Sequence, residues 1–258
     1  MASTGQNVWF DLMTTDVEAA KRFYSDVIGW KTEQWTGGDP AMPYTMWSMG
    51  GRSLGGVMAL PEDARKMGAP PHWIAYTVVD DVDATAAKAE KLGARVYAPP
   101  TDIPTVGRFA VLADPQGATF AIFKGAGPMD APPDAVGQFS WAELNTTDYE
   151  AAWRFYSELF GWKHRSSMDM GPMGTYFMWN DPEGKTKGGM SNAAKAMNFP
   201  PHWLHYVTVD DVDATAKVVV EKGGKVMNGP MDIPGDDRIA QCQDPQGGFF
   251  AIYSHGKK

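Results

Sequence analysis

The sequence is poor in cysteine: Cys242 is the only one among 258 residues. No internal disulfide can form, and a reducing, cytoplasmic location is the simpler expectation. Long apolar runs are missing too. None approaches the roughly 18 residues that cross a bilayer, and Met1 to Gly5 lacks the basic start and apolar stretch of a secretory signal. Lys and Arg form no dense cluster and the net charge is −8, which argues against a nucleic-acid or anionic-membrane surface. No Walker loop, G-x-G-x-x-G, G-x-S-x-G or paired C-x-x-C occurs, so phosphate cradles, nucleophile elbows and paired-cysteine metal sites have no support. What is plentiful is Trp (10) and Met (16), residues that suit either a core or an apolar ligand pocket.

The chain repeats itself. Thr14 to Trp30 reads TTDVEAAKRFYSDVIGW, and Thr146 to Trp162 reads TTDYEAAWRFYSELFGW. Pro70 to Thr85 (PPHWIAYTVVDDVDAT) returns as Pro200 to Thr215 (PPHWLHYVTVDDVDAT). Ile103-Pro104 and Arg108 recur as Ile233-Pro234 and Arg238, and Asp114-Pro115-Gln116-Gly117 recurs as Asp244-Pro245-Gln246-Gly247. An offset near 130 residues is domain-sized. The reading is therefore two domains, 1–125 and 138–258, joined by a Pro/Gly-rich linker at 126–137.

Each copy is itself doubled. A strand at Val8 to Met13 leads to an acidic helix start at Thr15 and Asp16, with Glu18 placed to complete a capping box with Thr15. A strand at Trp73 to Val79 leads to a second start at Asp80-Asp81. Gly29 and Gly93 suit the left-handed position that ends a helix. Short strand-like runs follow at Lys31–Gln34, Tyr44–Met49 and Gly56–Leu60, then at Arg95–Tyr97, Phe109–Ala113 and Thr119–Lys124. The D-P-Q-G between the last two has the residues of a type I turn. The unit is βαβββ, four times over, an α+β chain.

The D-x-E-x-A-x-x-F-Y-x-x-x-x-G helix, the D-D-V-D-A helix start and the D-P-Q-G hairpin together resemble the vicinal oxygen chelate superfamily. That superfamily includes glyoxalase I, extradiol dioxygenases and bleomycin-resistance proteins. The P-P-H-W, D-I-P and D-P-Q-G set looks most like a tandem-duplicated glyoxalase-like subgroup often labelled hydroxylases. The resemblance implies that paired βαβββ modules form a half-open mixed β-barrel around a cleft, with flanking helices. In metal-dependent members the cleft holds one divalent ion, ligated by His or Gln, His, and Glu.

Those ligand positions fall here on Trp9, Ile74 and Ala121, and on Trp141, Leu204 and Ala251. None of these side chains carries a donor atom for a divalent ion. The expectation is no metal cofactor, as in the bleomycin-resistance branch, with a shifted metal site built on His and a carboxylate as the alternative. Residues two apart on a strand share a face. Asp11, His72 and Tyr76 then accompany Trp9 and Ile74, with Thr119 and Phe123 beside Ala121. Glu143, His202 and Tyr206 occupy the matching places, with Phe249 and Tyr253 beside Ala251. Each expected cleft holds an acid, an imidazole, a phenol and aromatic walls, a plausible small-molecule site.

Each polar group also has a structural reading. His72 and His202 could open a strand and bond local backbone. Asp11 and Glu143 could face solvent after a one-residue register slip; inside the cleft, desolvation would raise their pKa and fit them as candidate catalytic bases. Arg108 and Arg238 could bridge a nearby Asp or receive an anionic ligand. Cys242 reads as a buried strand thiol, and Met42, Met46, Met49 and Met58 as core filling. Gly55-Gly56 and Gly188-Gly189 read as bulges or close backbone approaches. The expected function is binding or sequestration of an amphipathic or aromatic small molecule by a monomer or homodimer. The alternative is a lyase, isomerase or oxygenase of glyoxalase type; a third reading is a scaffold with vestigial clefts.

Overall fold

The computed structural model describes residues 1–37 and 43–256; Met42 lies outside them. The first module is β1 (Asn7–Thr14), α1 (Val17–Ile28), β2 (Lys31–Trp35), β3 (Tyr44–Met49) and β4 (Arg52–Ala59), followed by a short α2 (Glu62–Lys66). The second is β5 (His72–Val78), α3 (Val82–Lys91), β6 (Arg95–Ile103), β7 (Gly107–Ala113) and β8 (Thr119–Gly125). The third is β9 (Phe139–Asn145), α4 (Tyr149–Phe160), β10 (Lys163–Asp169), β11 (Thr175–Asn180) and β12 (Thr186–Ser191), followed by α5 (Ala193–Met197). The fourth is β13 (His202–Thr208), α6 (Val212–Glu221), β14 (Lys225–Ile233), β15 (Asp237–Gln243) and β16 (Phe249–Ser254). The α+β class and the fourfold βαβββ pattern hold. The strands run in two eight-stranded mixed sheets, β2-β3-β4-β1-β5-β8-β7-β6 and β10-β11-β12-β9-β13-β16-β15-β14. Within every module the first strand pairs parallel with the last, and the others pair antiparallel.

Local chemistry explains the helix ends. Asp16 caps α1, its carboxylate accepting from Ala19 N at 2.9 Å. Asp81, not Asp80, caps α3 by the same bond from Ala84 N. The capping box of Thr15 and Glu18 does not form: Thr15 stands one residue before the cap, and Glu18 pairs with Lys21 instead. Gly29 ends α1 at φ +86°, and Gly93 follows α3 at φ +98°, backbone that a side chain would strain. Strand β6 runs six residues beyond the expected Tyr97. Pro99 and Pro100 look like terminators, but register shifts between Val96 and Thr101 carry the strand past them. The helices α2 and α5 span only five residues each, too short for a helical period to show in sequence.

The compact units cut across the repeats. One comprises Met1–Trp9, Ile74–Ala131 and Trp141–Leu204; the other comprises Phe10–Trp73, Pro132–Ser140 and His205–Lys258. Each therefore joins one module of the first repeat to one of the second. In the first unit α3 packs on its own sheet and against α4. The core there includes Val82, Ala86, Leu112, Phe120 and Ile122 from the first repeat, and Leu144, Phe155, Tyr156 and Trp179 from the second. Trp162 Nε1 donates to Gly5 O at 2.8 Å. In the second unit α1 packs against α6, Trp30 Nε1 donates to Gly137 O at 2.8 Å, and Phe10 stacks on Phe139 with centroids 4.0 Å apart. Gly137, the last residue of the stretch expected to be a linker, also donates its N–H to Thr208 O at 2.8 Å. Five of the ten tryptophans, Trp30, Trp47, Trp73, Trp162 and Trp179, are buried in these cores, so half of the Trp content is accounted for by helix–sheet packing.

Candidate functional site

On β1 Val8, Phe10 and Leu12 share one buried face; Trp9 and Asp11 alternate onto the other, Trp9 half-buried and Asp11 itself buried. Asp11 sits opposite Gly56 of β4. The Tyr44 hydroxyl of β3 donates to Asp11 Oδ1 at 2.5 Å. A Cβ on Gly56 would overlap the Tyr44 phenol ring, and one on Gly55 would strike the Phe10 carbonyl. The glycine pair thus lets the tyrosine lie across β4 and reach the acid. The second repeat builds the same device. Glu143 sits opposite Gly189, the Tyr176 hydroxyl donates to Glu143 Oε2 at 3.1 Å, and a Cβ on Gly189 would overlap the Tyr176 ring. Trp141 Nε1 adds a donor, 2.9 Å from Tyr176 Oη. Tyr44 and Tyr176 are partners of the two acids that the sequence reading misses. The recurring Y-x-M-W at Tyr44 and Tyr176 is the signal that points to them.

Tyr76 on β5 is buried and touches Phe109 and Phe123, with centroids 6.2 and 6.3 Å away. Its counterpart Tyr206 accepts from Gln241 Nε2 at 3.2 Å. The Tyr253 hydroxyl donates to Asp237 Oδ2 at 2.5 Å and lies 3.0 Å from His255 Nδ1. Burial and the Asp237 carboxylate hold this phenol protonated, well above its ordinary pKa. His72 opens β5 with Nδ1 2.8 Å from Pro70 O, and His202 opens β13 with Nδ1 3.0 Å from Pro200 O. A carbonyl can only accept, so Nδ1 carries the proton in both rings. Desolvation lowers both imidazole pKa values, with the carbonyl bond opposing it. Both histidines therefore make the local backbone bond, as the structural reading had it.

Arg108 grips Asp83 through Nε and Nη2, at 2.7 and 2.8 Å, and reaches Asp102 through Nη1 at 2.9 Å. Arg238 grips Asp213 and Asp232 likewise. The bond from Arg108 holds the Asp83 carboxyl below its ordinary range, and Arg238 does the same to Asp213. These arginines clamp the first turn of α3 and α6 to the edge strand. Cys242 is fully buried, and burial pushes its thiol up to about 12. Met46, Met49 and Met58 are half-buried instead of filling the core. His205 is buried edge-to-face against Phe10.

The inherited metal positions do not fit a divalent ion. Trp9 and Trp141 are half-buried indoles, Ile74 and Leu204 are buried aliphatics, and Ala121 and Ala251 are fully buried. Oxygen, imidazole or thiolate donors are needed. Among the described residues no three His, Cys, Asp or Glu side chains gather into a group able to hold a metal. No helix there is long and apolar enough to cross a membrane.

The family model for the Glyoxalase/Bleomycin resistance protein/Dioxygenase superfamily matches residues 7–122 and 138–252, one match per repeat. CFP32 of Mycobacterium tuberculosis, which bears a glyoxylase name, is 34% identical over 250 residues, covering 95% of this chain and 92% of that protein. The anthracycline biosynthesis protein DnrV of Streptomyces peucetius is 33% identical over 265 residues, covering 96% and 92%. Among solved structures, the Mn(II)-bound glyoxalase from Novosphingobium aromaticivorans superposes with TM-score 0.66 at 17% identity, covering 100% of this chain and 84% of that one. The 2,2',3-trihydroxybiphenyl 1,2-dioxygenase of Sphingomonas wittichii does so with TM-score 0.66 at 15% identity, covering 99% and 92%. The likeness to these structures shows the fold. The chain belongs to the Glyoxalase/Bleomycin resistance protein/Dioxygenase superfamily.

Proposed function

We propose that the chain binds an amphipathic or aromatic small molecule on its acid-and-tyrosine strand faces, without the divalent ion that metal-dependent members of the superfamily hold. The observation that carries this reading is the duplicated pair, Asp11 with Tyr44 and Glu143 with Tyr176, each made possible by a glycine opposite the acid. A backbone kept bare in both repeats so that a phenol can reach a carboxylate fits a site better than a scaffold. Asp11 and Glu143 orient the ligand's polar end, with the Tyr44 ring beside Asp11 and the Tyr176 and Trp141 rings beside Glu143 supplying apolar surface. His72 and His202 would contact ligand only through the ring edge turned away from their carbonyl bonds.

An enzymatic reading is favoured by the relatives' names, a glyoxylase and an anthracycline biosynthesis protein. In that case Asp11 or Glu143 is the general base, and the neighbouring tyrosine hydroxyl steadies its charge. Native mass spectrometry and metal analysis of the purified full chain test both readings. The expected result is a retained small molecule and no stoichiometric metal, with ligand lost on Asp11→Asn or Glu143→Gln while the fold persists. A tightly held divalent ion at one per chain would sink the metal-free reading, and turnover abolished by the same variants would establish the enzyme.

A further inference from the structure

The second and fourth modules carry the same strands in the same register, so their faces compare position by position. On the first repeat Tyr76 pairs with Ala121, Ala121 with Val111, and Val111 with Ala98. On the second, Tyr206 pairs with Ala251, Ala251 with Gln241, and Gln241 with Asn228. Residues paired across strands share a face. Val111 has thus become Gln241, and Ala98 has become Asn228. One step along, Phe123 has become Tyr253, Gly107 has become Asp237, and Gly125 has become His255. All five exchanges add a hydrogen-bonding group. Thr101 to Met231, at a position exposed in the first repeat, and Thr119 to Phe249, at the far end of the last strand, run the other way.

The added groups are organised, not scattered. Asn228 Nδ2 donates to Gln241 Oε1 at 3.4 Å, and Gln241 Nε2 donates to the Tyr206 hydroxyl. Tyr253 Oη lies between Asp237 and His255, and His255 Nε2 faces Asp134 at 3.6 Å. The matching face of the first repeat sets the Tyr76 ring against Phe109 and Phe123 and carries Val111 and Ala98 where the second carries Gln241 and Asn228. Chains of polar side chains on a half-buried face hold amide and hydroxyl dipoles in fixed directions. A bound hydroxyl can exchange into such a chain, whereas a hydrocarbon ring would strand its groups without partners.

We infer that the repeats have diverged in specificity: the β13–β16–β15–β14 face of the second selects a ring bearing hydroxyl groups, and the β5–β8–β7–β6 face of the first selects the bare aromatic ring. This deepens the binding reading above and rests on it. Val111, Phe123, Gln241 and Tyr253 are the specificity-determining residues, with Tyr206 and Asp237 holding the second pair in place.

The test uses two probes with one ring in common, toluene and 1,3,5-trihydroxybenzene, titrated into the full isotope-labelled chain and followed by NMR. Toluene should shift the signals of Tyr76, Phe109 and Phe123, and the triol those of Tyr206, Gln241 and Tyr253, each with about tenfold preference for its own repeat. Val111→Gln with Phe123→Tyr should move the first repeat toward the triol, and Gln241→Val with Tyr253→Phe should move the second toward toluene. Every introduced residue already stands at the same sheet position in the other copy, and the wild-type titration needs no variant. If both probes shift both repeats equally, the divergence is overturned and the binding reading stands. Should neither probe nor any co-purifying molecule bind, the binding reading falls and the selectivity falls with it.

Discussion

The Tyr24 hydroxyl on α1 donates a 3.0 Å hydrogen bond to Asp244 Oδ2, 220 residues along the chain. The same hydroxyl accepts from Trp73 Nε1 at 2.9 Å. Tyr156 does likewise with Asp114 and Trp203, at 3.0 and 3.1 Å. The Phe-Tyr helix, the P-P-H-W strand start and the D-P-Q-G turn are therefore parts of one buried device. It occurs once in each compact unit and each time joins the two repeats. The other carboxylate oxygen makes the turn: Asp244 Oδ1 accepts from Gln246 N and Gly248 N, and Asp114 Oδ1 from Gln116 N, Gly117 N and Ala118 N. Burial raises both carboxyl pKa values, and these bonds oppose the rise.

Tyr24→Phe should leave Trp73 Nε1 and Asp244 Oδ2 buried without this partner, at about 1–3 kcal/mol of stability. Asp244→Asn should destabilise by a different route. Its amide would turn an N–H toward Tyr24, which then has no acceptor for its own proton. The two losses should be non-additive in a double-mutant cycle followed by urea unfolding. Additive losses would show that the tyrosine and the acid act separately.

Stability should fall as pH rises through about 10. Burial first, then the facing carboxylate, holds the Tyr24 and Tyr156 phenols protonated well above their ordinary pKa. The unfolded chain loses those protons first, so rising pH favours unfolding. The combined Tyr24→Phe and Tyr156→Phe variant should flatten this alkaline slope of the urea midpoint.

The acid side runs in the opposite sense. Desolvation lowers the folded-state pKa of His72 and His202. The unfolded imidazoles take up protons first, so their contribution is present above about pH 6.5 and is lost as pH falls below it. His72→Gln with His202→Gln should reduce the loss of thermal midpoint between pH 7 and pH 5. An unchanged slope would mean that other groups govern acid stability.

Gly56→Ala should push the Tyr44 ring from Asp11 and cost about 1–3 kcal/mol. In a Tyr44→Ala background the same substitution should cost much less, because the added methyl meets no phenol. Gly189→Ala and Tyr176→Ala form the matching set. Equal cost in both backgrounds would assign the glycine to backbone conformation alone.

The βαβββ order, the helix starts at Asp16 and Asp81 and the D-P-Q-G turn are all legible along the chain. Each is decided by residues within a few positions: an N-cap carboxylate, a left-handed glycine, a two-residue alternation. The same alternation correctly separates Trp9 and Asp11 from Phe10. Tyr44 and Tyr176 are not legible as partners of Asp11 and Glu143, because the contact crosses β4 or β12 and depends on what a glycine leaves out. The lower edge of β6 is misread because proline ends most strands and only the pairing partner shows a bulge.

By itself the sequence determined the duplication, the module and the absence of donor atoms at the family's metal positions, since these depend on residue identity and local spacing. Tertiary structure alone decided which modules pack together. Tyr24 meets Asp244 in the other repeat, not Asp114 in its own, although both copies carry the identical D-P-Q-G. A turn motif present in identical form in both copies cannot encode that choice locally. It is made where helix faces, buried tryptophans and a carboxylate in need of a proton donor all find their partners at once.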